Sequence, residues 1–221
     1  MQNQRGRLIV IEGIDGSGKS TLAKKVHTYF EQQQIDAILT KEPGGSPLGT
    51  ALRTILQERH VAACPKAEYL LFAADRAQHM HEIILPALTK GTHVLSDRMG
   101  DSSIVYQGYA RGLSIDMITH INQWAMQDMH PDVTIFVDVP VAVAQQRWAA
   151  RNEALSAFEK EHETFMQRVR DGFHALYKTR KNVIMIDGTA SADTVFEQTI
   201  TALTQWLQHD TRSFSCTSMA R

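Results

Sequence analysis

The chain has 221 residues, a formal net charge of −1 and a pI near 6.8, and 43% of it is hydrophobic, enough for one large core or two small ones. With 21% charged residues of balanced sign, the composition gives no sign of a nucleic-acid or membrane-surface binder. The start, MQNQRGRLIVIEG, holds only a short apolar run, and no stretch approaches the roughly 18 apolar residues of a spanning helix, so a soluble cytoplasmic protein with neither signal peptide nor anchor is expected.

Taken in chain order, short β-branched runs alternate with longer helical patterns. Strands are expected at 7–13 (RLIVIEG), 36–42 (DAILTKE), 92–97 (THVLSD), 133–138 (VTIFVD) and 182–187 (NVIMID). They are nearly continuous in apolar residues, as strands buried on both faces are. Helices are expected at about 19–33, 47–57, 66–90, 101–110, 114–128, 140–150, 156–179 and 191–208, with Pro86 bending or dividing the third. Such alternation predicts an α/β fold with a five-stranded parallel sheet flanked by helices. No repeat or linker-like segment interrupts it, so a single domain over 1–209 is expected, with 210–221 a frayed polar tail. The two cysteines, Cys64 and Cys216, are far apart and fit no metal spacing, the usage of a reducing compartment. The ten histidines are scattered, and HEII at His81 lacks the second histidine of a zinc helix.

The densest chemistry lies directly after the first strand. Gly13-Ile14-Asp15-Gly16-Ser17-Gly18-Lys19-Ser20 fits the pattern G-x-x-x-x-G-K-[ST], followed by Thr21 and an expected helix. Glycines let successive backbone N–H groups turn toward an anion, and the helix N-terminus adds partial positive charge. Lys19 then reaches the outer phosphates of a nucleoside triphosphate, and the Ser20 hydroxyl ligates the Mg2+ that bridges them. A GTP switch would also need N-K-x-D, which does not follow the D-x-x-G look-alike Asp97-Arg98-Met99-Gly100. A motor ATPase usually has a strand ending in Asp-Glu; here HVLSDR ends in Asp97-Arg98.

That arginine points to a second anion beside the triphosphate. Arg53, Arg76 and Arg98 stand where helices meet the carboxyl ends of strands, and forked guanidinium groups suit phosphate oxygens, although each also suits an ordinary ion pair. In EYLLFAADRAQH, Tyr69, Phe72, Arg76 and His79 share one helical face. Phe72 and Arg76, one turn apart, could hold a stacked nucleobase, or Phe72 could be plain core.

Together, IEGIDGSGKST, KEPGGSPLG, LLFAADRAQH, SDRMGDSSIVYQG and FVDVP resemble the thymidylate kinase family over about residues 7–205. The resemblance implies a three-layer P-loop NTPase fold with a short lid at about 145–160, Mg2+-dependent transfer from ATP to dTMP for dTTP synthesis, and a homodimer without nucleic-acid or membrane partners. It matches Phe72 to a residue that stacks on thymine and Arg76 to one that meets a base carbonyl. Ser103 and Gln107 match positions that read or shape the base edge, and Tyr106 one that walls the sugar. Arg53 and Arg98 match arginines near the acceptor phosphate, Asp15 a carboxylate near the acceptor sugar and phosphates, and Glu42 and Pro43 the loop shaping the pocket. Asp97 is expected to reach Mg2+ through water. Three positions depart from the usual pattern: Lys41 before EPGG, Met99 after Asp97-Arg98, and Gly16 where some members carry a basic residue. Members lacking that residue supply a lid cation instead, which implies Arg151 at the transferring phosphate and Arg147 beside the adenine. The alternatives carried alongside are a kinase for another nucleoside monophosphate and a non-catalytic nucleotide switch.

Overall fold

The computed structural model of the protein describes residues 5–58, 63–150 and 163–209. The chain runs β1 (Leu8–Glu12), α1 (Lys19–Gln32), β2 (Ala37–Lys41), α2 (Pro47–Glu58) and α3 (Pro65–His79). A π-helical stretch, Met80–Ile84, leads into α4 (Leu85–Thr89), then β3 (His93–Asp97) and α5 (Gly100–Ser103). A second π-helical stretch, Ile104–Ala110, precedes α6 (Ile115–Ala125), β4 (Val133–Asp138), α7 (Val141–Ala149), α8 (Glu163–Tyr177), β5 (Val183–Asp187) and α9 (Ala192–His209).

All five strands pair in parallel, in the order β2-β3-β1-β4-β5. Strand side chains alternate between two covered faces. Ile9 and Ile11 pack with Leu22, Val26 and Phe30 of α1 and Leu203 and Leu207 of α9. Leu8 and Val10 face the other way, onto Met80, Ile84, Leu88 and Met126. Further along that second face, Phe136 packs with Phe165, Phe173 and Tyr177 of α8. Covering on both sides is why the strands read as unbroken apolar runs, and the result is the three-layer α/β sandwich of the phosphate-loop proteins.

Each expected strand is present within a residue or two of its predicted ends. The long third helix is divided as Pro86 requires: it has no N–H to donate to the carbonyl of Glu82, its ring would clash with that carbonyl, and the wider π-helical turn lies at that junction. The helix expected at 101–110 also differs, since only Gly100–Ser103 is α-helical and the rest is π-helical. The start of the helix expected at 156–179, most of the expected lid and the 210–221 tail lie outside the described residues.

Parallel pairing brings the carboxyl ends of the strands to one edge, and register puts Ile11 of β1 beside Asp97 of β3 and Asp97 beside Lys41 of β2. The connections leaving β1 and β3 lead to opposite halves of the sheet. A crevice opens between such strands, where ligands of open α/β sheets bind.

Candidate active site

The loop between β1 and α1 owes its shape to backbone that side chains resist. Gly16 and Gly18 have φ of +80° and +94°, in the left-handed region. A Cβ on Gly16 would also stand 2.5 Å from Trp148 Nε1 and 3.0 Å from the Ala144 carbonyl, so α7 packs where a side chain would go. Any side chain at this position, a basic one included, would have to displace α7. Lys19 is buried, with Nζ 3.2 Å from the Ile14 carbonyl and 3.6 Å from Asp15 Oδ1. Burial lowers its pKa, and Arg98 lowers it further.

The Ser20 hydroxyl meets Asp97 Oδ2 at the end of β3. Asp97 Oδ1 is buried and has no hydrogen-bond partner among the described residues. A hydroxyl beside a carboxylate oxygen with spare capacity is a hard-oxygen donor set that suits Mg2+ when phosphate oxygens and water complete the shell. These residues therefore fit the ion.

Arg98 occupies the junction between loop and cleft, with φ of +72°. Nη1 donates to the Gly13 carbonyl and to Ser102 Oγ, both at 2.9 Å, and Nη2 donates to Asp15 Oδ1 at 2.6 Å. Its guanidinium carbon lies 5.1 Å from the ring centre of Tyr106, whose hydroxyl donates to Asp15 Oδ2 at 3.1 Å. Burial works to raise the Asp15 pKa, but Arg98 and Lys19 outweigh it and hold the carboxyl at about 2. Asp15 is thus a fixed anion at neutral pH. Burial raises the Tyr106 hydroxyl above its ordinary value, so it stays protonated.

Beyond Arg98 the cleft becomes an apolar slot with a polar end. Asp15, Glu42, Pro43, Arg53, Phe72, Arg76, Arg98, Ser103, Tyr106 and Gln107 line one cavity together, so every residue expected on the acceptor side converges there. Arg76 is 1% exposed; Nε donates to Glu42 Oε2 at 2.9 Å, Nη1 to Asn122 Oδ1 at 2.6 Å and Nη2 to Ser103 Oγ at 3.0 Å. Glu42 also meets His79 Nδ1 at 3.0 Å, and although burial acts to raise its pKa, Arg76 and His79 bring it below the ordinary range. Gln107 Nε2 donates to Glu68 Oε1 at 3.1 Å. Arg53 Nη1 donates to the Pro43 carbonyl at 2.9 Å, and Arg53 also borders the neighbouring cavity lined by Lys19, Ser20, Lys41 and Asp97.

On the far side of the loop, Ser17, Gly18, Thr21 and Arg147 line a third cavity. Arg147 Nη1 donates to the Ser17 carbonyl at 3.0 Å and Nη2 to the Gly188 carbonyl at 2.7 Å, tying the loop to the turn after β5. Arg151 lies outside the described residues.

Sequence reasoning missed several participants. Gly188, Ala190 and Ser191 border the Arg147 cavity, but the turn after β5 carries no motif. Met99 and Ser102 line the acceptor cavity, and nothing in the stretch SDRMGDSS distinguishes Ser102 from its neighbour Ser103. Glu12, Glu68 and Asn122 hold site residues from behind, through contacts that sequence spacing does not reveal.

Comparison with known proteins adds an independent line. A family model described as thymidylate kinase matches residues 11–199. A thymidylate kinase of Halothermothrix orenii is 41% identical over 197 residues, 88% of this chain and 94% of the relative. One of Alkalilimnicola ehrlichii is 38% identical over 209 residues, 92% and 96% of the two chains, and one of Kosmotoga olearia 43% identical over 193, 87% and 92%.

Proposed function

The chain belongs to the thymidylate kinase family, and on that premise we propose how its residues divide the work. It is an ATP:dTMP phosphotransferase that phosphorylates dTMP to dTDP in dTTP biosynthesis. We assign ATP to the loop Gly13–Thr21 with Arg147 beside the adenine, and dTMP to the cavity from Phe72 to Arg98. The single observation carrying this assignment is that Arg98 reaches both the loop carbonyl of Gly13 and Asp15 at the mouth of the acceptor cavity.

The acceptor is a phosphate monoester with a second pKa near ~6, so at neutral pH it is largely a dianion and already a nucleophile. No strong general base is needed, and the barrier is the repulsion and alignment of two anions. Arg98 and Lys19 stand where both phosphates would be, and Asp15 stays ionised and orients Arg98 rather than moving a proton. Ser20, with Asp97 through water, would hold Mg2+, which when bound neutralises charge on the phosphate oxygens. Arg151 is proposed as the lid cation, and lid closure as what keeps water from accepting the phosphoryl group. Phe72 offers a face for the thymine ring and Tyr106 a wall for the sugar.

We further propose one kinase domain over 1–209, a cytoplasmic location and a homodimer. Support for the dimer is apolar surface on three helices: Leu48 and Ile55 of α2, Leu70 of α3, and Met117 and Trp124 of α6 are exposed, Trp124 by 80%. Trp124→Glu should shift the sedimenting species toward monomer; an unchanged dimer would place the interface elsewhere. None of the described helices is long and apolar enough to cross a membrane, and the near-neutral charge supports the absence of nucleic-acid partners.

The deciding experiment is ADP formation from Mg-ATP with dTMP, dUMP, dCMP, dGMP and UMP in parallel, with Arg98→Ala beside the parent. Turnover foremost with dTMP that collapses in Arg98→Ala is expected. Turnover only with another monophosphate would void the roles of Phe72, Arg76 and Ser103.

A further inference from the structure

We infer that Glu12 is a positioning residue of the transfer step, acting through the Ser102 hydroxyl on the guanidinium of Arg98. The inference rests on the reading of Arg98 as the cation between the two phosphates.

Glu12 is the last residue of β1, fully buried, directly before the first glycine of the loop. Its carboxylate accepts three donors from a single turn of chain: the Met99 N–H at 2.9 Å, the Ser102 N–H at 3.3 Å and the Ser102 hydroxyl at 2.6 Å. The same hydroxyl accepts from Arg98 Nη1 at 2.9 Å. Glu12 Oε2 itself lies 3.9 Å from Arg98 Nη1, beyond hydrogen-bonding distance. The direct link between carboxylate and guanidinium is therefore Ser102.

A hydroxyl carries one proton and two lone pairs. With the proton committed to an ionised Glu12, a lone pair is turned to Arg98. With no acceptor at Glu12, the hydroxyl is free to rotate and the guanidinium loses a fixed partner. Glu12 also anchors the amides of Met99 and Ser102, which follow Arg98 and its left-handed backbone, a conformation that non-glycine residues disfavour. The guanidinium is thus held from opposite sides, by Asp15 of the loop on Nη2 and by the Glu12–Ser102 pair on Nη1. A buried carboxylate this close to two anionic substrates opposes their binding by simple Coulomb repulsion. Its benefit must lie in orientation, because a group aimed at developing charge works only if it is already aimed.

The test is steady-state kinetics of Glu12→Gln, Ser102→Ala, the double variant, Ser102→Thr and Arg98→Ala, each with its unfolding midpoint. Glu12→Gln and Ser102→Ala should each lower kcat about 10- to 100-fold, a part of the ~10²–10³ lost with a whole preorganised donor. The KM for ATP should stay within about twofold, because the loop binds through its own backbone amides. Being one relay, the two changes should not multiply: the double variant should match the worse single. Ser102→Thr, which keeps the hydroxyl, should restore most of the turnover. If Glu12→Gln does not fold, the Ser102 pair decides alone. Parental kcat in the single variants, losses that multiply in the double, or an equal rise of both KM values at unchanged kcat would each overturn the relay. Arg98→Ala separates the two levels: if it keeps parental turnover, the reading of Arg98 itself fails, whereas its collapse beside active Glu12→Gln and Ser102→Ala overturns only the relay.

Discussion

The phosphate loop draws its binding groups from the consecutive residues Gly13 to Thr21, whereas the acceptor wall opposite is assembled from Glu42 and Pro43 before α2, Arg53 on α2, Phe72 and Arg76 on α3, and Ser103 to Gln107. The loop presents mainly backbone; of its two charged side chains, Lys19 leans on a carbonyl and Asp15 reaches out to Arg98. The wall presents side chains already paired with one another, Arg76 with Glu42, Asn122 and Ser103. One region can lose a charge and stay folded; in the other, each charge removed leaves a buried partner.

The largest separation should come from Arg76→Ala. It leaves Glu42, 4% exposed, without its guanidinium, and breaking one partner of a buried pair costs about 3–5 kcal/mol of stability. Urea unfolding should show that loss, with weakened dTMP binding beside it. A variant as stable as the parent would mean the wall is not held by this pair.

Lys19→Ala should behave in the opposite way. Turnover should fall by about 10²–10³, equivalent to ~3–4 kcal/mol of barrier. Stability should move by less than about 1 kcal/mol, because burial and Arg98 already disfavour the lysine charge. Comparable losses in stability and turnover would erase the distinction between the two regions.

Gly45→Ala probes the wall's close packing with a smaller change. A Cβ there would stand 2.3 Å from His79 Nε2 and 2.7 Å from Thr40 Oγ1, two groups bonded to each other at 2.7 Å. Overpacking of this kind costs about 1–3 kcal/mol. The KM for dTMP should rise while that for ATP holds, measured by varying each substrate at saturation of the other.

The same contrast sets what could be read from sequence. The loop was legible because its chemistry is local: glycines, lysine and serine at fixed spacing between a strand and a helix. The strands were legible because both sheet faces are covered, which fills most positions of the central strands with apolar residues. Phe72 and Arg76 share a helical face, so spacing alone paired them, but Ser103, Tyr106 and Gln107 followed only from the family resemblance. Part of the reason is the π-helical turn at Ile104–Ala110, which rotates Tyr106 and Gln107 off the 3.6-residue period on which face assignments rest. Glu12 falls inside the expected strand 7–13, and nothing within its own segment announces Ser102, a partner 90 residues away.

That carboxylate supplies the smallest expected effect, in the pH dependence. Burial pushes Glu12 from the usual 4.5 up to about 7; Arg98 and the bonds from Ser102 and Met99 pull it down, Asp101 pushes it up, and Lys19 and Tyr177 also face it. Since the folded state keeps a proton that the unfolded chain loses at about 4.5, stability should fall as pH rises from about 4.5 to about 7 and level off above. Asp75, raised by burial and by Glu42 to about 6, adds a slope of the same sign at the wall, so Asp75→Asn serves as the control background. Activity should run the other way, because only ionised Glu12 holds the Ser102 proton away from Arg98. In the Asp75→Asn background kcat should be about twofold below its plateau near pH 7 and fall further toward pH 6, beyond what protonation of the dTMP phosphate (pKa near ~6) explains. Adding Glu12→Gln should remove both slopes, leaving a lower kcat that tracks the substrate's protonation alone. A kcat profile unchanged in shape by that substitution would mean the carboxylate holds the fold at this point and nothing more.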